Sequence, residues 1–162
     1  MWKENKRPSR TTYSEANVKH VSEIILGSLS FNGQRCTALK LIFVQKDVAE
    51  EFTKKLTEAV SSLKGGLPWE KDVKITPLPE VNKPPYLEEC IADAVSKGAK
   101  VLNENGGYNE ASFFFPAVVY PVNDQMKLYH EEQFGPVIPV VAFDTIEEPI
   151  DYQVNADHGM QV

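Results

Sequence analysis

Phe31-Asn32-Gly33-Gln34-Arg35-Cys36-Thr37-Ala38-Leu39-Lys40 is the stretch on which the reading of this chain turns. Gly33-Gln34-Arg35 forms a turn, a thiol follows beside a guanidinium, and a dense apolar run (Leu39, Leu41, Ile42, Phe43, Val44) comes directly after. That order holds a sulfur at the mouth of a packed sheet. A nearby cation, or turn N–H groups aimed at the sulfur, favours the thiolate, which is the reactive form of cysteine. Cys36 is therefore a candidate nucleophile, set against the usual state of a lone cysteine as a small buried hydrophobe. Arg35 is either an exposed turn residue or a fixed cation suited to an anionic group on a substrate.

Outward from this turn, hydrophobic periodicity organises the chain. Residues 14–30 read as a helix with Ser14 as N-cap and Val18, Val21, Ile25 and Leu29 on one stripe. Residues 38–44 read as a buried strand. From Asp47 to Leu63 the spacing of Val48, Phe52, Leu56, Val60 and Leu63 predicts a second helix, with Asp47 and Glu50 as a capping box and Glu50–Lys54 and Glu51–Lys55 as i,i+4 pairs. Residues 64–85 carry Gly65, Gly66, Pro68, Pro77, Pro79, Pro84 and Pro85, a density that predicts an ordered loop; Trp69, Ile75 and Leu78 are expected to pack it down. A helix over 86–97 ends at Gly98, with Leu87, Ile91, Ala94 and Val95 inward. Strands follow at 99–102, 113–120 and 137–143, helices at 124–130 and 146–155, and a last strand begins at 159–162. Helices alternating with apolar strands predict an α/β fold with a mostly parallel sheet flanked by helices.

The 162 residues suffice for one domain with a sizeable core. A net charge of −6 argues against a nucleic-acid or membrane-surface role. The start is polar, with no apolar signal segment and no stretch of membrane-spanning length, so a reducing cytoplasmic setting with free thiols is expected. Residues 1–10 are locally basic and read as a solvated arm. Cys90 falls on the inner stripe of its helix and reads as core. His20, His130 and His158 match no metal spacing, so no metal is expected. A Cys–His protease pairing of Cys36 has no further support. Phe113-Phe114-Phe115 reads as core and strand edge, and Asn32 and Gln34 as turn geometry.

A second stretch, Glu131-Glu132-Gln133-Phe134-Gly135-Pro136-Val137, lies well downstream of Cys36. In this order and at this distance the two stretches resemble the catalytic-cysteine segment and the Glu-Glu-x-Phe-Gly-Pro signature of the aldehyde dehydrogenase superfamily. Leu26-Gly27-Ser28-Leu29-Ser30, Leu67-Pro68-Trp69-Glu70, Ile75-Thr76-Pro77-Leu78-Pro79-Glu80 and Phe115-Pro116-Ala117-Val118-Val119-Tyr120-Pro121-Val122-Asn123 resemble most the plant-like, non-phosphorylating, NADP-dependent glyceraldehyde-3-phosphate dehydrogenases. The resemblance covers residues 14–162, and residues 1–13 form an atypical N-terminal arm. It implies that the Cys36 thiolate adds to the aldehyde carbon, that hydride then leaves to a nicotinamide, and that water hydrolyses the resulting thioester. The Cys36 N–H would supply half of the oxyanion site. Arg35 would meet the phosphate of glyceraldehyde 3-phosphate, although other branches carry the same arginine with other substrates. Glu132 would accept hydrogen bonds from the nicotinamide ribose and Phe134 would pack beside it, while Glu131 reads as a solvated charge.

Members of the superfamily are roughly three times this long. No Gly-x-Gly-x-x-Gly phosphate loop occurs in the chain. The expectation is a partial catalytic domain, without the dinucleotide-binding domain or the oligomerisation arm. The complete enzyme would use NADP or NAD and form a homo-oligomer, and this chain would bind neither cofactor tightly. Lys6 and Pro8 echo the segment that follows the family's general-base glutamate, but Glu4, two residues before Lys6, is not at the family spacing; it is not assigned the base role, and the thioester would lack its water-activating carboxylate. Glu15-Ala16-Asn17 stands where the family usually has Asp-Ala-Asp. A separate reading makes the chain a non-catalytic interaction or thiol-sensing module, with Cys36 a reversibly modified surface thiol.

Overall fold

The computed structural model describes residues 12, 13 and 18–156. In chain order the elements are β1 (Thr12–Tyr13), α1 (Val18–Leu29), a 3-10 turn (Ser30–Gly33), β2 (Ile42–Gln45), α2 (Lys46–Ser61), α3 (Lys83–Ser96), β3 (Lys100–Val101), β4 (Asn109–Glu110), β5 (Phe113–Phe114), β6 (Ala117–Tyr120), α4 (Lys127–His130), β7 (Val137–Phe143) and α5 (Glu147–Asn155). One sheet has the order β1-β2-β7-β6-β3, and β4-β5 form a separate hairpin. β1, β2, β7 and β6 run parallel; β3 is antiparallel to β6. β1 lies at the end of the segment that the sequence reads as an arm.

Strand periodicity sorts the core into two layers. Phe43, Ala117, Val119, Val137, Val141 and Phe143 share one cluster with Leu87, Cys90 and Ala94 of α3 and Leu128 of α4, and Tyr152 of α5 packs against it. Ile42, Val44, Val118, Ile138 and Val140, of the other parity, meet Val21, Ile24 and Leu29 of α1 and Phe52, Leu56 and Val60 of α2. A sheet covered on both faces explains why β7 reads Val-Ile-Pro-Val-Val-Ala-Phe rather than alternating apolar and polar residues. Pro139 falls where pairing with β6 ends and pairing with β2 begins. This is the mostly parallel α/β arrangement that the sequence predicts.

Phe52 is fully buried in the α1–α2 layer. Phe52→Ala is expected to destabilise the chain by about 3–5 kcal/mol, a large share of the total stability of a domain. Trp69→Ala should change it by less than about 0.5 kcal/mol, because Trp69 is 78% exposed. Urea unfolding of the two variants checks both values.

Local boundaries differ from the sequence reading for identifiable reasons. β2 starts at Ile42 rather than residue 38. Ala38 N–H bonds to the Arg35 carbonyl (3.0 Å) and Leu39 N–H to the Gly27 carbonyl (3.1 Å), so this part of the chain is spent on a turn. α2 has Gln45 at its N-cap with no side-chain cap bond, so the capping box does not form; the Glu51–Lys55 pair does. α3 begins three residues early. Pro84 and Pro85 sit in its first turn, where a missing N–H has no partner to lose. Ile75 and Leu78 anchor the loop, whereas Trp69 faces outward, and Val95 is exposed on α3. The apolar stretch at 113–120 divides at Pro116 into β5 and β6. Ser14, His158, the basic arm at 1–10 and the strand at 159–162 lie outside the described residues.

Candidate active site

The turn that carries Cys36 is built from left-handed backbone. Phe31 (φ 53°), Asn32 (φ 56°) and Gly33 (φ 71°) follow one another in a region that L side chains rarely enter. Asn tolerates it better than most residues, while Phe does so at a cost. The Asn32 side chain is buried and bonded twice to one residue: its Nδ2–H donates to Thr76 Oγ1, and its Oδ1 accepts the Thr76 backbone N–H, both at 3.0 Å. Gln34 N–H then bonds back to the Phe31 carbonyl (3.0 Å), and the Arg35–Ala38 turn places Cys36 at an exposed corner.

The second motif meets the first through backbone. A Cβ on Gly33 would lie 2.5 Å from the Gly135 carbonyl oxygen and 2.8 Å from that of Ser28. The Gly-Gln-Arg-Cys turn and the Gln-Phe-Gly-Pro turn are thus pressed together with no room for a side chain between them. Phe134 is left-handed (φ 48°). Gln133 is buried and donates from Nε2 to the Leu128 carbonyl at 3.0 Å. Glu131, read from sequence as a solvated charge, instead accepts the Tyr86 hydroxyl at 2.7 Å. Burial, and then that bond, push the Tyr86 hydroxyl well above its ordinary titration range. Burial likewise raises the thiol of Cys90, fully enclosed under α3.

Cys36, Glu132 and Phe134 line one open cleft of about 1020 Å³. Its lining also includes Leu41, just before β2, Val141 of β7, and Tyr129 and Tyr152. Lys40 and His130 also line it; Lys40 Nζ donates to the His130 carbonyl and lies 6.0 Å from the centre of the Tyr152 ring. The structure therefore brings together three of the four sequence candidates. Arg35 is apart: its guanidinium stacks over the exposed Phe31 ring at 4.5 Å and does not line the cleft. The residues that sequence reasoning missed are Thr76 and Tyr86. Thr76 stands inside the Ile75-Thr76-Pro77-Leu78 stretch, whose mix of apolar and turn residues signals an anchored loop but not its contact.

The cleft is lined by an accessible thiol, a carboxylate and an aromatic ring.

The aldehyde dehydrogenase family profile matches residues 13–161. The chain belongs to the aldehyde dehydrogenase family. It is 34% identical over 138 residues to an NADP-dependent glyceraldehyde-3-phosphate dehydrogenase of Streptococcus equinus, covering 85% of this chain and 28% of that protein. It is 32% identical over 149 residues to a lactaldehyde dehydrogenase of Escherichia coli, covering 90% of this chain and 31% of the other. The crystal structure of an NADP-dependent glyceraldehyde-3-phosphate dehydrogenase from Bacillus halodurans complexed with NADP superposes with a TM-score of 0.83 at 33% identity, over 90% of this chain and 30% of that one. The chain thus spans about 30% of the length of the relatives it matches.

Proposed function

We propose that this chain is the nucleophile-bearing portion of the catalytic domain of an NADP-dependent aldehyde dehydrogenase that oxidises glyceraldehyde 3-phosphate to 3-phosphoglycerate. The observation that carries it is that Cys36 lines one cleft with Glu132 and Phe134, which lie far downstream of it in the sequence. The substrate rests on the similarity to NADP-dependent glyceraldehyde-3-phosphate dehydrogenases. The comparable similarity to a lactaldehyde dehydrogenase keeps a second aldehyde class in view.

In this reading the Cys36 thiolate attacks the aldehyde carbon, forming a C–S bond and a thiohemiacetal whose oxyanion takes a hydrogen bond from the Cys36 N–H. Loss of the former aldehyde hydrogen as hydride leaves a thioester on the same sulfur. Water then cleaves the C–S bond, releasing the acid and restoring the thiol. Glu132 and Phe134 would hold the ribose of the nicotinamide cofactor, which would supply the hydride acceptor when bound. Arg35 serves the substrate's anionic end once its guanidinium turns from Phe31, a movement that an exposed side chain makes readily. The complete enzyme works as an oligomer. Deacylation needs a water-activating carboxylate at the thioester; no residue is assigned that role, so the 162-residue chain alone is expected to acylate without turning over.

The test is an activated-ester burst on the purified chain. p-Nitrophenyl acetate should release close to one equivalent of nitrophenol and then stall. Glyceraldehyde 3-phosphate with NADP should give no steady production of NADPH. Sustained NADPH formation would overturn the reading of the isolated chain, and absence of a burst would overturn the nucleophile. The thiol-sensing alternative, with Cys36 a reactive and reversibly modified surface thiol, has a specific observation in its favour, the exposure of Cys36; it predicts fast alkylation of Cys36 with no ester burst.

A further inference from the structure

We propose that Thr76 is a positioning residue for Cys36, acting through Asn32; the inference rests on the reading of Cys36 as nucleophile. The cysteine turn contains a strained run, Phe31-Asn32-Gly33, all at positive φ. A run of this kind persists only when its surroundings over-determine it. Backbone contacts hold one side, where Gly33 is wedged between the carbonyls of Ser28 and Gly135. On the other side the buried carboxamide of Asn32 closes a two-bond clasp on Thr76, using the Thr76 hydroxyl as acceptor and the Thr76 N–H as donor.

Thr76 is a firm anchor. Ile75, before it, is fully buried and bridges to Gly65, with its N–H on the Lys64 carbonyl (3.3 Å). Leu78, after it, is buried and bonds through its N–H to the Ser112 carbonyl (2.8 Å). The Gly- and Pro-rich loop thus reaches back across the molecule and grips the nucleophile turn one residue before Gly33. Removing the Thr76 hydroxyl leaves the Asn32 Nδ2–H without that acceptor and frees the clasp to swing about the single remaining bond. Small misplacements of a reacting group cost rate out of proportion to their size.

The experiment compares wild type, Thr76→Val, Thr76→Ser and Asn32→Gly in the full chain. Acylation of Cys36 by p-nitrophenyl acetate and its alkylation by iodoacetamide are both followed, with peptide mapping of Cys36 and Cys90. Thr76→Val should slow Cys36 acylation roughly tenfold, and Thr76→Ser should restore it to within about twofold of wild type. Asn32→Gly, which keeps the left-handed backbone but loses both bonds, should slow it at least as much as Thr76→Val. Adding Thr76→Val to Asn32→Gly should produce little further loss, because both act through one contact. Cys90 should stay unlabelled throughout. Wild-type rates in Thr76→Val, failure of serine to rescue, or a loss accompanied by labelling of Cys90 would each overturn the proposal. A wild-type chain that alkylates at Cys36 but is not acylated would count against the nucleophile reading alone, and the Thr76 effect would still be read from alkylation.

Discussion

Cys36→Ser is expected to abolish the nitrophenyl-ester burst altogether, while Cys90→Ser retains it. A serine hydroxyl is a far weaker nucleophile than a thiolate. Cys36 stands at an exposed turn corner facing the shared cleft, so the substitution removes one atom's chemistry without disturbing packing. Cys90 lies among the buried residues under α3, with a thiol that burial drives toward the neutral form. A residual burst in Cys36→Ser, lost only on removing Cys90, would transfer the activity to the wrong sulfur.

Gly33→Ala is expected to be the most damaging substitution outside the nucleophile. A Cβ at Gly33 would stand 2.5 Å from the Gly135 carbonyl oxygen and 2.8 Å from that of Ser28. Both are backbone atoms, which cannot rotate away as a side chain could. The residue also sits at φ 71°, where a side chain costs about 1–3 kcal/mol before any clash is counted. The turn must therefore separate from Gly135, moving Cys36 relative to Glu132 and Phe134. Acylation should fall by roughly a hundredfold or more, with a clear drop in the urea midpoint. Gly98→Ala is the control. Gly98 has φ 103° at the end of α3, and nothing lies within 4 Å of its would-be Cβ. It should lose stability to backbone strain yet keep wild-type acylation. Equal acylation in Gly33→Ala and wild type would mean that the contact between the two turns does not govern the thiol.

Much of this architecture was legible in sequence where periodicity is strong. β7 spans the residues its apolar run indicates, and α2 differs by only a residue or two at each end. The run Leu39–Val44 misled because apolar content alone does not distinguish a strand from a turn that buries its side chains. Leu41 does join the core, but as part of the approach to β2. Pro84 and Pro85 misled in the opposite direction, since proline breaks a helix interior and yet opens a helix well. Of the three residues expected to pack the loop down, Ile75 and Leu78 do so, while Trp69 is exposed.

For the site, motif order pointed to Cys36, Glu132 and Phe134, and the fold puts all three on one cleft. No pattern indicated that Asn32 would bond to Thr76, or Glu131 to Tyr86. Both bonds join residues more than 40 positions apart, and each depends on where an irregular segment crosses another. The stack of Arg35 on Phe31 was equally hidden, because it requires the left-handed Phe31 that turns the ring outward.

The most direct measurement is competitive alkylation of the native chain with iodoacetamide, followed by peptide mapping of the two cysteines. Cys36 should be modified faster than Cys90 by roughly a hundredfold or more, since Cys90 reacts only through opening of its core. Denaturation in urea should bring the two rates together. Equal, slow labelling of Cys36 and Cys90 in the folded chain would contradict an open thiol at the cleft, and with it the enzymatic reading.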